Sequence, residues 1–570
     1  MTHAEKPHAL ARGPAWLRSG TPAASVCIAL PIGILAALVT TLFRMTIEQA
    51  GVGLFGTHAD ITHIMATLAR GWRVLIPTAG AALAGVILWA AQRSKDPAGQ
   101  DYMQAVSEGD GRIPMRTTLL RSASSLISIV SAGSIGREGA MVQLAALTGS
   151  LAGYSWADTA TLRLCAACGA AAGLASVYHT PLAGAMFVAE IVLGSITVDR
   201  LIPLFTASVA ASLTIAAIGN HDAPFALAHH AQVLDTADLA LIVPIGIAAG
   251  LLAPPFLALL SRGKTAFGRL PLPLPLRMAL GGLLMGLIAI PIPEVCGNGY
   301  APIIAILHGQ PLSGPVAAVL CAKMAATILI VGSGAVGGIF TPSLFIGAAL
   351  GSLVSSALPG IHDTTLLSLI GMGAFMAAVS HAPLMAILMV FEMTMNANLL
   401  LPLMGGCVIA YTVSRVFRSD SLYSVLNRRH IQLLQARQLE AITLGELLEP
   451  VSHNLTPAST LADAQALFGQ TRTRYLYVVD DGGKLLGGVS VHRLTARLYQ
   501  EPMSRTHPVL ELCEDAFECL PAACTLRQAW DAFTHTPLER IPVVDTLQNR
   551  LLLGTVSKRM LLERIKIWQN

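Results

Sequence analysis

The sequence predicts a multi-pass α-helical membrane protein with a duplicated membrane region and a soluble C-terminal region of α/β type. Of its 570 residues, 54% are hydrophobic and only 12% are charged, against about 25% charged in soluble globular proteins. Apolar runs long enough to cross a bilayer recur, and the sequence repeats itself at a fixed offset. After about residue 440, charges, turns and alternating β-branched residues return, which is typical of a soluble domain.

Three uncharged runs are long enough to be membrane helices, since about 20 apolar residues span the hydrocarbon core. They are Ala23 to Phe43, Val74 to Ala91 and Leu239 to Ser261. The first run is too long for a secretory signal peptide and lacks a small-residue cleavage site, so we expect it to remain as the first membrane helix.

Basic residues precede this first run, which places the N-terminal segment 1–22 in the cytoplasm by the positive-inside tendency. The net charge of +4 is small and no long Lys/Arg tract occurs, so nucleic acid is not an expected partner. Cys165 and Cys168 have a metal-like spacing, but they lie in an apolar run without a second pair. We interpret them as buried helix residues and expect neither a metal site nor a disulfide.

An internal repeat is the strongest architectural signal. The segment from Gly169 to Glu190 resembles that from Gly371 to Glu392, and 392 − 190 = 202. At the same offset, the loop 136–140 falls on the loop 338–342. Both loops are rich in glycine and lead into apolar helical runs, so each could direct backbone N–H groups into the protein. Duplicated halves with interrupted helices favour a binding site near the membrane midplane, and helix N-termini favour an anion there.

Glu138 lies in the first of these loops, and Phe340 is its counterpart in the second. A glutamate at membrane depth costs several kcal/mol and is by default a functional-site hypothesis. A structural ion pair with Arg137 is the alternative, but adjacent helical residues do not face each other.

The membrane domain is predicted over 23–417, followed by a linker over 418–439. Two copies of a small α/β module follow, over 440–501 and 508–567. Each copy contains a strand, a turn, a second strand and a helix.

The chain resembles the CLC chloride channels and chloride/proton antiporters, most closely the bacterial ClcB type. The resemblance is carried by five short segments in the family's order: Asp101 to Met103, Ser134 to Ala140, His179 to Gly184, Gly297 to Tyr300 and Gly337 to Pro342. It implies a homodimer in the bacterial inner membrane, with both termini cytoplasmic. Each subunit would hold its own anion pathway, built from two inverted halves of broken, tilted helices.

The family's motifs also imply site residues. The GREGP loop matches 136–140, which makes Glu138 the gating glutamate and places Arg137 and Gly139 beside the anion. The GxFxP loop matches 338–342, so the N–H groups of Ile339 and Phe340 would contact the central anion. The pore tyrosine, found in a Leu-Tyr-Ser setting, matches Tyr423, for which an interfacial tyrosine at a helix end is the alternative.

Three departures from the family pattern limit this transfer. The GSGIP loop is replaced by the longer loop 109–114, which has no serine, so the Gly111 N–H is the proposed substitute for the serine hydroxyl. Ala140 replaces a proline, which removes no N–H donor. Ile191 occupies the place of the inner glutamate that carries protons in the antiporters. We therefore expect a chloride channel of the voltage-gated type, with chloride/proton antiport as the alternative.

Four further repeated residues are expected to have structural roles rather than to act on the permeant ion or on protons. Glu190 and Glu392 end repeated apolar segments, which favours helix-end or interhelical contacts over substrate binding. His179 and His381 precede the repeated prolines, which favours turn or hydrogen-bonding roles over proton handling.

The C-terminal modules resemble tandem CBS domains, which many CLC proteins carry on the cytoplasmic side. In nucleotide-binding CBS domains an aspartate holds the ribose, and here those positions are Arg493 and Met560. We therefore expect no nucleotide and no other cofactor, with chloride as the permeant ion and nitrate or fluoride as alternatives. A CBS-regulated divalent-cation channel and a membrane enzyme fit less well. The apolar runs hold few carboxylates and no nucleophile–base pair.

Overall fold

The structure is a computed structural model that divides into two compact units, Met1–Leu426 and Asn427–Asn570. It describes residues 22–93, 101–107, 109–219, 225, 240–357, 364–418, 421–423, 443–451, 453–471, 473–501, 505–514, 517–536 and 538–561. The basic residues of the predicted N-terminal segment, Ser424 and most of the predicted linker lie outside the described residues.

The first unit is helical. Its α-helices are α1 Pro22–Phe55, α2 Ile61–Thr67, α3 Arg70–Gln92, α4 Tyr102–Ser107, α5 Met115–Val130, α6 Glu138–Gly153, α7 Thr159–Tyr178, α8 Pro181–Phe187, α9 Val198–Ala217, α10 Ile242–Arg269, α11 Leu274–Ala289, α12 Tyr300–Leu307, α13 Val316–Ser333, α14 Phe340–Ser356, α15 Thr364–Ser380, α16 Pro383–Thr394 and α17 Leu400–Phe417. Within the described residues, seven helical segments are long and apolar enough to cross a membrane. The first two runs predicted as spans lie in α1 and α3, and residues 242–261 of the third lie in α10.

The two halves repeat at the offset seen in the sequence. Helix α6 begins at Glu138 and α14 at Phe340, and 340 − 138 = 202. Likewise α8 and α16 begin 383 − 181 = 202 residues apart, and α9 and α17 begin 400 − 198 = 202 residues apart. The helices are short and interrupted around the two repeated loops, as glycine and proline predict.

The interruptions before α8 and α16 share one backbone device. His179 and His381 adopt left-handed conformations with φ of 59° and 58°. Each residue stands between a long helix and a proline that begins the next one. A left-handed residue followed closely by proline is a common way to end a helix, so the turn role predicted for these histidines is confirmed.

The repeat is not perfect, because the first half contains a π-helical turn. This turn, Val188–Val192, directly follows α8 and carries both Glu190 and Ile191. The corresponding stretch of the second half stays within α16, which runs as a regular α-helix to Thr394. Single π-turns are uncommon and are often found at functional sites.

The second unit contains two small α/β modules. Their strands are β1 Asn454–Leu455, β2 Tyr475–Val479, β3 Leu485–Ser490, β4 Leu520–Pro521, β5 Arg540–Val544 and β6 Leu552–Ser557, and their helices are α18 Leu461–Gln470, α19 Val491–Gln500 and α20 Leu526–His535. Each sheet has a short parallel pair followed by an antiparallel pair, in the orders β1-β2-β3 and β4-β5-β6. Both antiparallel pairs have a register shift at the same place, between Val478 and Val479 and between Val543 and Val544. The strand–turn–strand units predicted in the two copies are therefore confirmed.

Candidate anion site

The two repeated glycine loops meet in the first unit. Gly136 and Gly338 form an isolated antiparallel bridge, in which each N–H donates to the other's carbonyl, at 2.7 and 2.9 Å. Helices α6 and α14 begin two residues after these glycines. The first N–H groups of a helix have no partner within the helix. The bridge therefore brings two sets of such donors, with the positive ends of two helix dipoles, to one place.

The Glu138 carboxylate occupies the N-terminus of α14. The Thr341 N–H donates to Oε1 of Glu138 at 2.8 Å, and the Thr341 hydroxyl donates to Oε2 at 3.3 Å. The Glu138 side chain is buried, with 4% of its surface exposed. A carboxylate from the first half thus lies where backbone donors of the second half would bind an anion.

Two glycines make room for this carboxylate. A Cβ atom added to Gly338 would come within 2.6 Å of the Glu138 carboxyl carbon, and one added to Gly136 would collide with both carboxylate oxygens. Glycine at both positions is therefore a steric requirement of this side-chain position.

The sequence-predicted Ile339 and Phe340 lie beside Glu138. Ile339 caps α14 and Phe340 is its first residue, so their N–H groups have no partner within that helix. Arg137 likewise caps α6, and Gly139 packs closely against the Gly338 backbone. Glu138 bonds to Thr341 rather than forming the ion pair with Arg137 that was the alternative.

Tyr423 is joined to this site through aromatic contacts. Its ring packs edge-on against Phe187 at 5.8 Å between centroids, and Phe187 in turn lies 6.5 Å from Phe340. These ring contacts therefore connect Tyr423 to the start of α14.

The loop 109–114 does not direct its predicted donor, the Gly111 N–H, toward an anion. The Gly111 N–H, proposed to face the anion, instead donates to the Ala105 carbonyl at 3.0 Å. A side chain at Gly111 would collide with the α7 backbone at Leu162 and Arg163, and its φ of 82° further disfavours one. This geometry does not support an anion-binding role for the Gly111 N–H.

The next two N–H groups of this loop are also bonded internally. The Arg112 N–H donates to Oδ1 of Asp110 at 3.0 Å, and the Ile113 N–H donates to the Ser150 hydroxyl at 3.1 Å. The Ser150 hydroxyl in turn donates to the Gly111 carbonyl at 2.7 Å. The donors near the carboxylate site therefore come mainly from the second half.

Glu190 and Glu392 form a reciprocal pair of helix contacts, here called the glutamate clasp. Glu392 accepts the N–H groups of Leu182 and Ala183 at the start of α8, at 2.9 and 2.8 Å. Glu190 accepts those of Leu384 and Met385 at the start of α16, at 3.4 and 2.9 Å. The interhelical role predicted for both glutamates is confirmed, and each half caps a helix of the other.

Sequence reasoning missed three polar residues of this region. Tyr178 contacts Thr341 through its hydroxyl, at 2.8 Å. The buried Lys323 donates to the carbonyls of Val295 and Gly297 at 3.0 and 2.9 Å, and so holds the loop before α12. The lysine could have been noticed as a lone charge in an apolar run, whereas nothing in the local pattern marks Tyr178 or Thr341.

A cavity of about 420 Å³ reaches Arg137 from the side of α1 and α2. Besides Arg137, its lining combines apolar residues with five polar or charged ones, which are Glu48, Thr57, His58, Asp60 and Asn298. The Arg137 Nε atom is buried and has no hydrogen-bond acceptor within the described residues. Arg137 therefore lines this cavity and, separately, holds a buried Nε donor next to the residue that begins α6.

In the C-terminal unit, Arg493 follows the capping Ser490, whose hydroxyl accepts its N–H at 3.2 Å. The Arg493 guanidinium pairs with Glu514 at 3.3 Å. The aspartate that would hold a ribose in a nucleotide-binding CBS domain is thus replaced by a cation that already has a partner. Met560 occupies the matching position after Ser557.

Comparisons with known proteins agree with this architecture. Residues 79–415 match the family model of the voltage gated chloride channel, and residues 448–499 match that of the CBS domain. A ClcB-like chloride channel protein from Ralstonia nicotianae is 42% identical over 70% of this chain and 95% of its own length. The voltage-gated ClC-type chloride channel ClcB from Citrobacter koseri is 37% identical over 71% of this chain and 99% of its own length.

Solved structures show the same fold. A slow cyanobacterial Cl⁻/H⁺ antiporter has 25% identity and a TM-score of 0.62, covering 71% of this chain and 97% of that one. A eukaryotic CLC transporter has 18% identity and a TM-score of 0.58, and it covers 94% of this chain and 97% of its own. The second likeness extends the shared fold over nearly the whole chain.

Proposed function

Because the chain belongs to the CLC family of chloride channels and transporters, we propose that it is a chloride channel whose gate is the Glu138 carboxylate. The observation that supports this proposal is that the carboxylate accepts the Thr341 N–H and hydroxyl at the start of α14, a place suited to an anion. When the carboxylate leaves, the freed N–H groups at the start of α14 bind chloride in its place. The Tyr423 hydroxyl and the N–H groups of Ile339 and Phe340 are the proposed further ligands.

Passive conduction is proposed over coupled exchange because the position after Glu190 is Ile191, which cannot carry a proton. Glu190 itself uses its carboxylate to cap α16. Chloride/proton antiport is the second candidate, favoured by the likeness to the solved Cl⁻/H⁺ antiporter.

Reconstituted liposomes separate the two candidates. We expect chloride efflux to rise about tenfold or more in Glu138→Ala, because hydrogen bonds to a charged group, worth roughly 1.5–3 kcal/mol, no longer hold the gate. A chloride gradient should drive no proton uptake in the wild type. Proton uptake at a fixed ratio to chloride would establish the antiporter instead, and equal efflux in wild type and Glu138→Ala would refute the gate.

The C-terminal CBS region is proposed to act without a nucleotide, since the Arg493–Glu514 pair stands where a ribose would be held. Titration calorimetry of the full chain with ATP, ADP and AMP should give no binding heat. Micromolar binding of any of the three would overturn this proposal. We further propose that the protein is a homodimer in the bacterial inner membrane with both termini cytoplasmic.

A further inference from the structure

We propose that the Thr341 hydroxyl, oriented by Tyr178, is a latch on the Glu138 gate and becomes an anion ligand once the gate has moved. The inference rests on the proposed gating function and adds two specificity-determining residues to it. Both hydroxyls are buried, and Tyr178 and Thr341 come from different halves of the membrane unit.

The hydrogen atoms of the three groups give this chain a direction. An ionised carboxylate only accepts hydrogen bonds, so the Thr341 hydroxyl donates its single hydrogen to Oε2 of Glu138. The 2.8 Å contact between the Tyr178 and Thr341 hydroxyls must then use the hydrogen of Tyr178. The chain therefore runs from Tyr178 through Thr341 to Glu138, and each bond polarises the next.

Packing fixes both donors of this chain. Tyr178 ends α7 and is fully buried, and its ring lies 5.4 Å from that of Phe340. Thr341 is the second residue of α14, so its N–H and its hydroxyl reach the same carboxylate. A donor pair held in this way is preorganised for an anion and keeps its geometry when the carboxylate departs.

The vacated site then differs from one made of backbone groups alone. It would offer one N–H and one hydroxyl from Thr341, with the hydroxyl aimed by Tyr178. Gly136 and Gly338 leave room there for a group of about carboxylate size, which suits a monovalent inorganic anion. A hydroxyl donor gains most from anions that accept hydrogen bonds strongly, so the site should favour chloride over a large, weakly hydrated anion such as thiocyanate.

The test uses the full-length protein in liposomes, with Thr341→Val, Tyr178→Phe, the double variant and Thr341→Ser. Valine keeps the shape of threonine and removes the hydroxyl, whereas serine retains it. Ser343→Ala is the matched control, because its buried hydroxyl lies on the same helix but donates to the Ile339 carbonyl at 2.8 Å. Each variant is measured in the wild-type and in the Glu138→Ala background.

With Glu138 present, we expect Thr341→Val to raise chloride efflux about three- to tenfold, which corresponds to the net contribution of one ordinary hydrogen bond, since the bond from the Thr341 hydroxyl is long at 3.3 Å. Tyr178→Phe should raise it less, and the double variant should match Thr341→Val because both changes break one chain. Thr341→Ser keeps the hydroxyl and should raise efflux less than Thr341→Val, and Ser343→Ala should stay near wild type.

In the Glu138→Ala background there is no gate to release, so Thr341→Val should not raise efflux. It should instead lower the permeability ratio of chloride to thiocyanate about threefold. An equal rise of efflux in both backgrounds would mean that the pore had merely widened, and the latch would be refuted. Unchanged efflux in Thr341→Val with Glu138 present would refute it as well. Absence of chloride flux from both wild type and Glu138→Ala would instead refute the proposed function.

Discussion

The two glycine loops of the membrane unit have the same backbone but different chemistry. Each loop ends in a helix, and the two are joined by reciprocal hydrogen bonds between Gly136 and Gly338. The first half then continues with Glu138, which supplies a charge, while the second continues with Phe340 and Thr341, which supply donors and an aromatic wall. The repeat thus places the starts of two helices at one point, and only the first half adds a carboxylate there, which bonds to the second half.

The glutamate clasp also differs between the two halves, to a smaller degree. Glu392 is buried and its two bonds are short, whereas Glu190 is more exposed and one of its bonds is 3.4 Å long. Glu190 also stands in the π-helical turn, beside Ile191. The longer contact therefore belongs to the glutamate of the half that carries Glu138, and the two shorter contacts to the glutamate of the half that carries Thr341.

The largest effect should come from filling the glycine pocket. Gly338→Ala would bring a methyl group against the Glu138 carboxyl carbon, so the carboxylate must leave. We expect chloride efflux to rise about thirtyfold, which corresponds to about 2 kcal/mol of lost gate binding.

Two controls test whether both halves shape this pocket. Gly136→Ala should have a similar effect, since its Cβ would also meet the carboxylate. Gly53→Ala in α1, where a Cβ meets nothing within 4 Å, should leave efflux unchanged. A response to Gly338→Ala but not to Gly136→Ala would assign the pocket to the second half alone.

The two glutamates of the glutamate clasp should contribute unequally to the free energy of unfolding. Glu392→Gln should lower the free energy of unfolding by about 1.5 kcal/mol, because it weakens two short bonds between a charge and backbone N–H groups. Glu190→Gln should lower the free energy of unfolding by about half as much. Denaturant unfolding in detergent micelles measures both, and equal losses would mean that the asymmetry of the bond lengths has no energetic counterpart.

The smallest expected effect is a difference between the two C-terminal modules in how the pH affects their stability. In the first, the Thr460 N–H and hydroxyl, both at 2.8 Å from Asp463, hold the pKa of that carboxyl below its usual range. In the second, the equivalent capping box between Thr525 and Gln528 cannot titrate.

A lowered carboxyl pKa stabilises the fold above the unfolded value, near 3.9, and the effect fades as the pH falls through the folded pKa. Asp463→Asn should therefore lower the melting temperature of the C-terminal unit by about 2 °C at pH 7 and leave it unchanged near pH 2. Gln528→Ala should lower the melting temperature about equally at both pH values. A pH-independent loss in Asp463→Asn would remove the distinction between the modules.

Much of this architecture could be predicted from the sequence, because the repeat offset is a one-dimensional signal. The offset of 202 by itself pairs Glu138 with Phe340 and Glu190 with Glu392. Helix boundaries near Glu138, Phe340 and the repeated prolines followed from glycine and proline, which act locally on the backbone.

The polar contacts across the halves could not be predicted in the same way. Thr341 bonds to Glu138 across 203 residues, one more than the repeat offset, and to Tyr178 across 163. The offset brings the two loops together, but it does not reveal which side chains bond to each other. The role predicted for the Gly111 N–H is not supported because that group donates to the Ala105 carbonyl, while Asp110 and Ser150 accept the next two N–H groups of the loop. The number of N–H groups in a sequence does not reveal which of them are already bonded. The motif predicted where an anion could bind, and packing decided which donors remain for it.

The glutamate clasp also sets an order of events during synthesis. Glu190 receives its partners only when Leu384 and Met385 have been made, 194 and 195 residues later. At about 5–20 residues per second, the ribosome needs roughly 10–40 s to supply them. During that interval the first half lies in the membrane, and the Glu190 carboxylate and the start of α8 lack their final contacts. The first half therefore cannot complete its fold until the second half has been synthesised, and it should be most vulnerable to quality-control proteases during that interval.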